Sequence, residues 1–193
     1  RLYVGGIVYY NKTMRKILLG ILTGGIMLTV VYPFFNLPSV FFPFIFSKGL
    51  FIQVIGLVLL PFWLALIILY PRYRLIIGYR SFNILSVVIC WGIILIITTL
   101  VGADPVRSWW GTAERMTGVF TILSFILWFL MIITVFRSKQ QWRWLLRGLI
   151  LGAVIVSGQI IYAGLILHQF RPSAWFGSPG IAGSYLLFFP FLA

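Results

Sequence analysis

The sequence predicts an all-α fold, a polytopic bundle of transmembrane helices with five complete spans and the start of a sixth. Three observations carry that expectation. The 193-residue chain is 62% hydrophobic and 9% charged, whereas soluble domains hold about 25% charged residues. Its mean hydropathy is +1.09. Its uninterrupted apolar runs are about 18–20 residues long, the helix length that crosses a hydrocarbon core ~30 Å thick.

Taken in order, residues 1–10 are mixed in character, and Asn11 to Lys16 is basic, so 1–16 reads as a cytoplasmic N-terminal segment. The first span runs from Ile17 to between Val31 and Phe35, with Pro33 near its exit. It does not read as a secretory signal, because the apolar run is too long and no small-residue cleavage site follows. Gly20 and Gly24 have the spacing that lets helices approach closely, though incidental glycines in a membrane helix would look the same.

Residues 36–49 hold Pro38 and Pro43 among many phenylalanines. Prolines at that density break a helix, so this stretch reads as a loop or partly re-entrant segment at the interface. The second span is Leu50 to Leu69, with a kink expected at Pro61. A basic loop from Tyr70 to Arg80 leads to the third span, Ser81 to Val101. A polar island follows at 102–118. The fourth span is Val119 to Phe136, the next basic loop Arg137 to Arg147, and the fifth span Gly148 to Leu167. Within the fifth, Gln159 is expected to hydrogen-bond to a neighbouring helix. Residues 168–180 are polar and aromatic, and a sixth apolar run starts at Ile181. The start at Arg1 and the stop inside that run suggest an incomplete transmembrane domain, part of a longer protein.

A net charge of +13 invites a nucleic-acid reading, but the charges sit in short loops between apolar runs, as cytoplasmic loops do. No nucleic-acid partner is expected; the lipid bilayer is. Arg1, Lys12, Arg15, Lys16, Arg72, Arg74, Arg80, Arg137, Lys139, Arg143 and Arg147 fall on one side, against Lys48, Arg107, Arg115 and Arg171 on the other. The richer side is cytoplasmic by the positive-inside rule, which puts the N-terminus inside. The island, the Phe-rich stretch and 168–180 then share the outward face. Cys90, the single cysteine, allows no disulfide within the chain and no thiolate metal site.

The island holds both acidic residues of the chain, Asp104 and Glu114, with Arg107, Arg115, Trp109 and Trp110. Outward arginines are not explained by the positive-inside rule. Arg107, Arg115 and Arg171 would suit an anion at headgroup level, since the guanidinium fork fits phosphate or carboxylate. Asp104 with Arg107, and Glu114 with Arg115 or Arg107, are the alternative internal pairings. The tryptophans either stack on a sugar or anchor at the interface. His168 is a candidate base or a solvated helix end. Two acids and one histidine give a metal site little support, and no Walker-type or G-x-G-x-x-G loop is present.

The pattern Gly102-x-Asp104-x-x-x-Ser108-x-Trp110-Gly111-x-x-x-Arg115-x-x-Gly118 resembles the outward loop of bacterial O-antigen ligase and O-antigen polymerase-related membrane proteins. Phe42-Pro43-Phe44-x-x-Ser47-Lys48 is similar to a Phe-Pro-Phe segment ending in Lys in that family. Arg171, followed by Phe176-Gly177-Ser178-Pro179-Gly180-x-x-Gly183-x-Tyr185-Leu186-Leu187, resembles the stretch where the family's shared core begins. Ser178 stands where Asn is usual there.

The resemblance implies a metal-independent glycosyltransferase of about a dozen helices in the bacterial inner membrane, needing no cofactor. Its donor would be an undecaprenyl-diphosphate-linked glycan, and its acceptor lipid A-core, a growing polysaccharide or a protein. By the same resemblance Arg115 and Arg171 would contribute to the carrier-diphosphate site, with Asp104 and Arg107 shaping the loop and Trp110 near the substrate. Fixed cations would stabilise the departing diphosphate as charge develops on it. The catalytic residues of the later half are not in this sequence. The competing classes are a transporter or flippase of an anionic lipid-linked substrate and a non-catalytic membrane scaffold. A transporter would hold ionisable groups within its spans, where Cys90, Ser157 and Gln159 are all uncharged.

Overall fold

A computed structural model describes residues 3–4, 7–8, 12–36, 44, 46–73, 84–112, 118–168, 172–173 and 176–187. At the N-terminus β1 (Tyr3–Val4) pairs antiparallel with β2 (Ile7–Val8), Tyr3 opposite Val8 and Val4 opposite Ile7. All other regular structure among the described residues is helical: α1 (Lys12–Met27), α2 (Phe46–Leu69), α3 (Ile84–Val101), α4 (Pro105–Trp110), α5 (Val119–Val135), α6 (Lys139–Leu165) and α7 (Pro179–Leu187), with 3-10 turns at Leu28–Phe34 and Pro71–Tyr73.

Among the described residues, four segments are long and apolar enough to cross a membrane: Lys12–Phe34, Phe46–Leu69, Ile84–Val101 and Lys139–Leu165. The fourth expected span is α5, an apolar helix of 17 residues, about 25 Å long at 1.5 Å per residue. No more than 28% of any of the four span windows is buried within the protein. Large apolar side chains such as Ile84, Val101, Val154 and Leu165 therefore lie exposed. Such surfaces are abnormal in water and ordinary against lipid. The fold is that of a helical membrane protein.

Several boundaries differ from the sequence reading. α1 begins at Lys12, inside the 1–16 segment expected to precede the first span. The stretch from Arg137 to Arg147, expected as a loop, is helical from Lys139 onward. The reason is a capping box: Ser138 Oγ accepts the Gln141 backbone N–H at 3.2 Å, and the Ser138 N–H donates to Gln141 Oε1 at 3.1 Å. Two donors left over at the helix start are thereby satisfied. α2 likewise starts at Phe46 rather than Leu50, so Ser47 and Lys48 are helical. It continues through Pro61 to Leu69.

The described contacts divide the chain into two units, one of Arg1–Ile26, Gln53–Gly111 and Thr117–Arg137, the other of Met27–Ile52, Thr112–Met116 and Ser138–Ala193. In the first unit, Leu18, Leu22 and Ile26 are buried at four-residue spacing along α1. The close helix approach is at Gly25, where an added Cβ would strike the side chain of Leu59; Gly20 and Gly24 have nothing within 4 Å. Gly92 of α3 meets Ile126 and Leu123 of α5. The buried Gln53 amide of α2 donates to Thr121 Oγ1 of α5 at 3.0 Å. Hydroxyls within the apolar helices bond back to their own backbone, Thr99 to Leu95 O and Thr134 to Leu130 O, so these two hydroxyls need no water.

In the second unit α6 packs on the 3-10 turn through Gly148 against Val30, and on α7 through Gly152 against Tyr185. Val156, Phe176 and Ala182 form its core. The side-chain oxygen of Gln159 is buried and does not make the expected interhelical bond to any described residue.

Candidate functional site

The described part of the island, 102–112 and 118, is more ordered than a loop. Asp104 caps α4, its Oδ1 accepting the Arg107 backbone N–H at 3.0 Å, and Pro105 opens the helix, where its missing N–H does no harm. Gly111 closes α4 with φ 74°, its N–H donating to Arg107 O. The relation between Asp104 and Arg107 is thus a cap from side chain to backbone. Arg107 lies exposed in the last turn, where a cation suits the helix dipole.

Trp110 is 58% exposed and lies tilted on Phe120 with ring centres 5.4 Å apart. Thr99, Leu100, Pro105, Val106, Trp109 and Trp110 line an apolar recess of about 330 Å³. Gly118 sits directly on the backbone of Trp109–Gly111, where any Cβ would collide. Of the residues expected at a site, Asp104, Arg107 and Trp110 are thus brought onto one short helix, and only Trp110 borders the recess. Glu114, Arg115 and Arg171 lie outside the described residues. His168, just beyond α6, is exposed and holds φ 51°.

The second unit contains a site centred on a residue for which the sequence reading proposed no role. Lys48, in the first turn of α2, is 3% exposed. Its Nζ lies 4.4 Å from the centre of the Phe176 ring. Tyr32, Phe44, Lys48, Phe176 and Ile181 enclose a cavity of about 80 Å³. Phe176 is held there by its backbone N–H donating to Ser173 O at 3.1 Å and by Tyr185, whose ring centre is 5.0 Å away. Gly177 follows with φ +70°, and a Cβ on it would strike the Phe44 ring. Only glycine suits both the backbone angle and the contact.

Burying an ammonium costs several kcal/mol even after the protein relaxes, while a desolvated cation–π contact returns about 2 kcal/mol. The aromatic wall therefore offsets part of that cost. One sequence signal did mark it. Lys48 is the only charged residue between Lys16 and Arg72.

The sites belong to a helical, multi-pass membrane protein. Comparison with protein-family models, curated proteins and solved structures finds no match to the chain.

Proposed function

We propose that this protein transfers a glycan from an undecaprenyl-diphosphate carrier to an acceptor at the outer face of a bacterial inner membrane, with its N-terminus in the cytoplasm. One observation carries the reading. Two of the three segments whose residue patterns resemble the O-antigen ligase and polymerase family, Phe42 to Lys48 and Phe176 to Leu187, meet at the Lys48–Phe176 and Phe44–Gly177 contacts. A site built from both patterns requires that they meet in this way. In this reading Arg115 and Arg171 bind the carrier diphosphate, Asp104 and Arg107 shape the island, and Trp110 borders the substrate.

The test is transfer by the full-length protein in liposomes, with an undecaprenyl-diphosphate-linked oligosaccharide and candidate acceptors. Transfer is expected with the native protein and lost with Arg115→Ala. Well-folded native protein that transfers to no acceptor would overturn the reading.

A second reading draws on Lys48 itself. It lies in α2, one of the membrane-length helices, and ionisable groups within spans mark substrate or ion pathways. A transporter of an anionic lipid-linked substrate would use it so. Movement of a labelled lipid-linked substrate across the liposome bilayer, without transfer, would favour that reading.

A further inference from the structure

The stretch from Lys139 to Arg147 opens the 27-residue α6, and the helix turns its scattered charges into a pattern. At about 3.6 residues per turn, Lys139, Arg143 and Arg147 fall on one stripe, each four residues from the next. All three are exposed. Leu145, Gly152, Val156 and Ala163, which lie on the opposite side of the helix, are buried.

One turn further along, the exposed side changes character. Leu151, Val154, Ile161 and Leu165 stand exposed, and no charged residue occurs from Gly148 to Leu165. That apolar part is about 27 Å long at 1.5 Å per residue, close to the ~30 Å of a hydrocarbon core. The stretch before it rises about 13 Å further. It therefore crosses the headgroup layer, which is roughly 5–8 Å deep on each side. Trp142 and Trp144, 38% and 57% exposed, lie at the same level, where indole rings settle.

Cations four residues apart on a helix repel one another. At a helix start they also face the positive end of the dipole. No acidic residue stands in α6 to offset either effect, so the stripe is complementary to anions held outside its own helix. Anionic phospholipids place such charges at this depth and attract basic segments beside a span, and the guanidinium forks of Arg143 and Arg147 fit their phosphates. The positive-inside rule asks only that cations lie near the end of a span. It does not require them in register on the face that turns to lipid.

We propose that the Lys139–Arg143–Arg147 stripe binds the headgroups of anionic phospholipids in the leaflet around the start of α6. The site rests on the helical membrane fold and stands independently of glycan transfer.

The experiment titrates the full chain, in a maltoside detergent at fixed low salt, with dioleoyl phosphatidylglycerol and dioleoyl phosphatidylcholine. The two lipids share their acyl chains and differ in net charge. Phosphatidylglycerol is expected to bind at least tenfold more tightly. The triple variant Lys139→Gln, Arg143→Gln, Arg147→Gln should lose at least tenfold in phosphatidylglycerol affinity, with phosphatidylcholine unchanged. A comparison variant, Lys12→Gln, Lys16→Gln, Arg72→Gln, removes the same charge from exposed positions off the stripe and should lose less than threefold. Equal losses in the two variants would overturn the proposal, because affinity would then follow total charge. No preference of the native chain for phosphatidylglycerol would also overturn it, and would leave the stripe to a soluble anionic partner. If the stripe variant fails to fold by circular dichroism, Arg143→Gln alone serves. At least a threefold loss is then expected, and unchanged affinity would sink the proposal.

Discussion

Lys48 and Phe176, far apart in sequence, lie with the ammonium 4.4 Å from the ring centre, both nearly excluded from solvent. The contact ties the first turn of α2 to the segment that leads into α7. It is the point at which sequence-distant patterns become one structure.

Phe176→Leu keeps an apolar side chain of similar bulk and removes the π face. It should lower stability, and the coupling to Lys48 in a double-mutant cycle with Lys48→Met should be about 0.5–2 kcal/mol. Reversible denaturation of the four proteins in detergent measures it. Coupling near zero would mean that the ring only packs.

Gly177→Ala combines a left-handed backbone angle, worth about 1–2 kcal/mol against a side chain, with overpacking onto Phe44, worth about 1–3 kcal/mol. A clear loss of thermal stability is expected. Gly183→Ala is the contrast, since Gly183 lies in α7 with nothing within 4 Å. There alanine should raise stability by up to about 1 kcal/mol through helix propensity.

Removing the Ser138 cap with Ser138→Ala should cost about 1 kcal/mol and fray the start of α6. Hydrogen exchange should accelerate in the first turn after Ser138 and stay unchanged further along the helix. Uniform exchange in both proteins would show that α6 starts without help from its cap.

For α4, Asp104→Asn should hold the helix nearly as well as the native residue, because asparagine also caps, while Asp104→Ala should cost about 1 kcal/mol. Exchange rates of the 105–110 amides distinguish the three. If Asp104 acted by its charge on Arg107, asparagine would behave like alanine.

The Gln53–Thr121 bond joins α2 to α5 in an apolar setting. Interhelical bonds in membranes average about 0.6 kcal/mol, so the Gln53→Leu and Thr121→Val cycle should give coupling of that order. A value near zero would assign Gln53 to packing.

Much of this protein was legible without its fold. Runs such as Leu50–Leu69 and Val119–Phe136 name helices because hydropathy over some twenty residues is a local property, and the membrane demands internally satisfied backbone. The Ser138–Gln141 cap was equally local, an S-x-x-Q pattern that the surrounding arginines and lysine disguised as a loop. The proline-rich stretch hid the start of α2 in the same way.

Which side chains meet was not legible. α2 and α3 are apolar on every side, so they carry no amphipathic stripe to say which face turns inward. Hence the sequence did not show that Gln53 of α2 meets Thr121, or that Lys48 of the same helix is buried rather than facing water. Composition and hydropathy determined by themselves that this is a helical membrane protein, because burial in lipid depends only on what a segment is made of. Tertiary structure alone decided that Lys48 lies under Phe176 beside a cavity, because long-range packing depends on which segments the chain brings together.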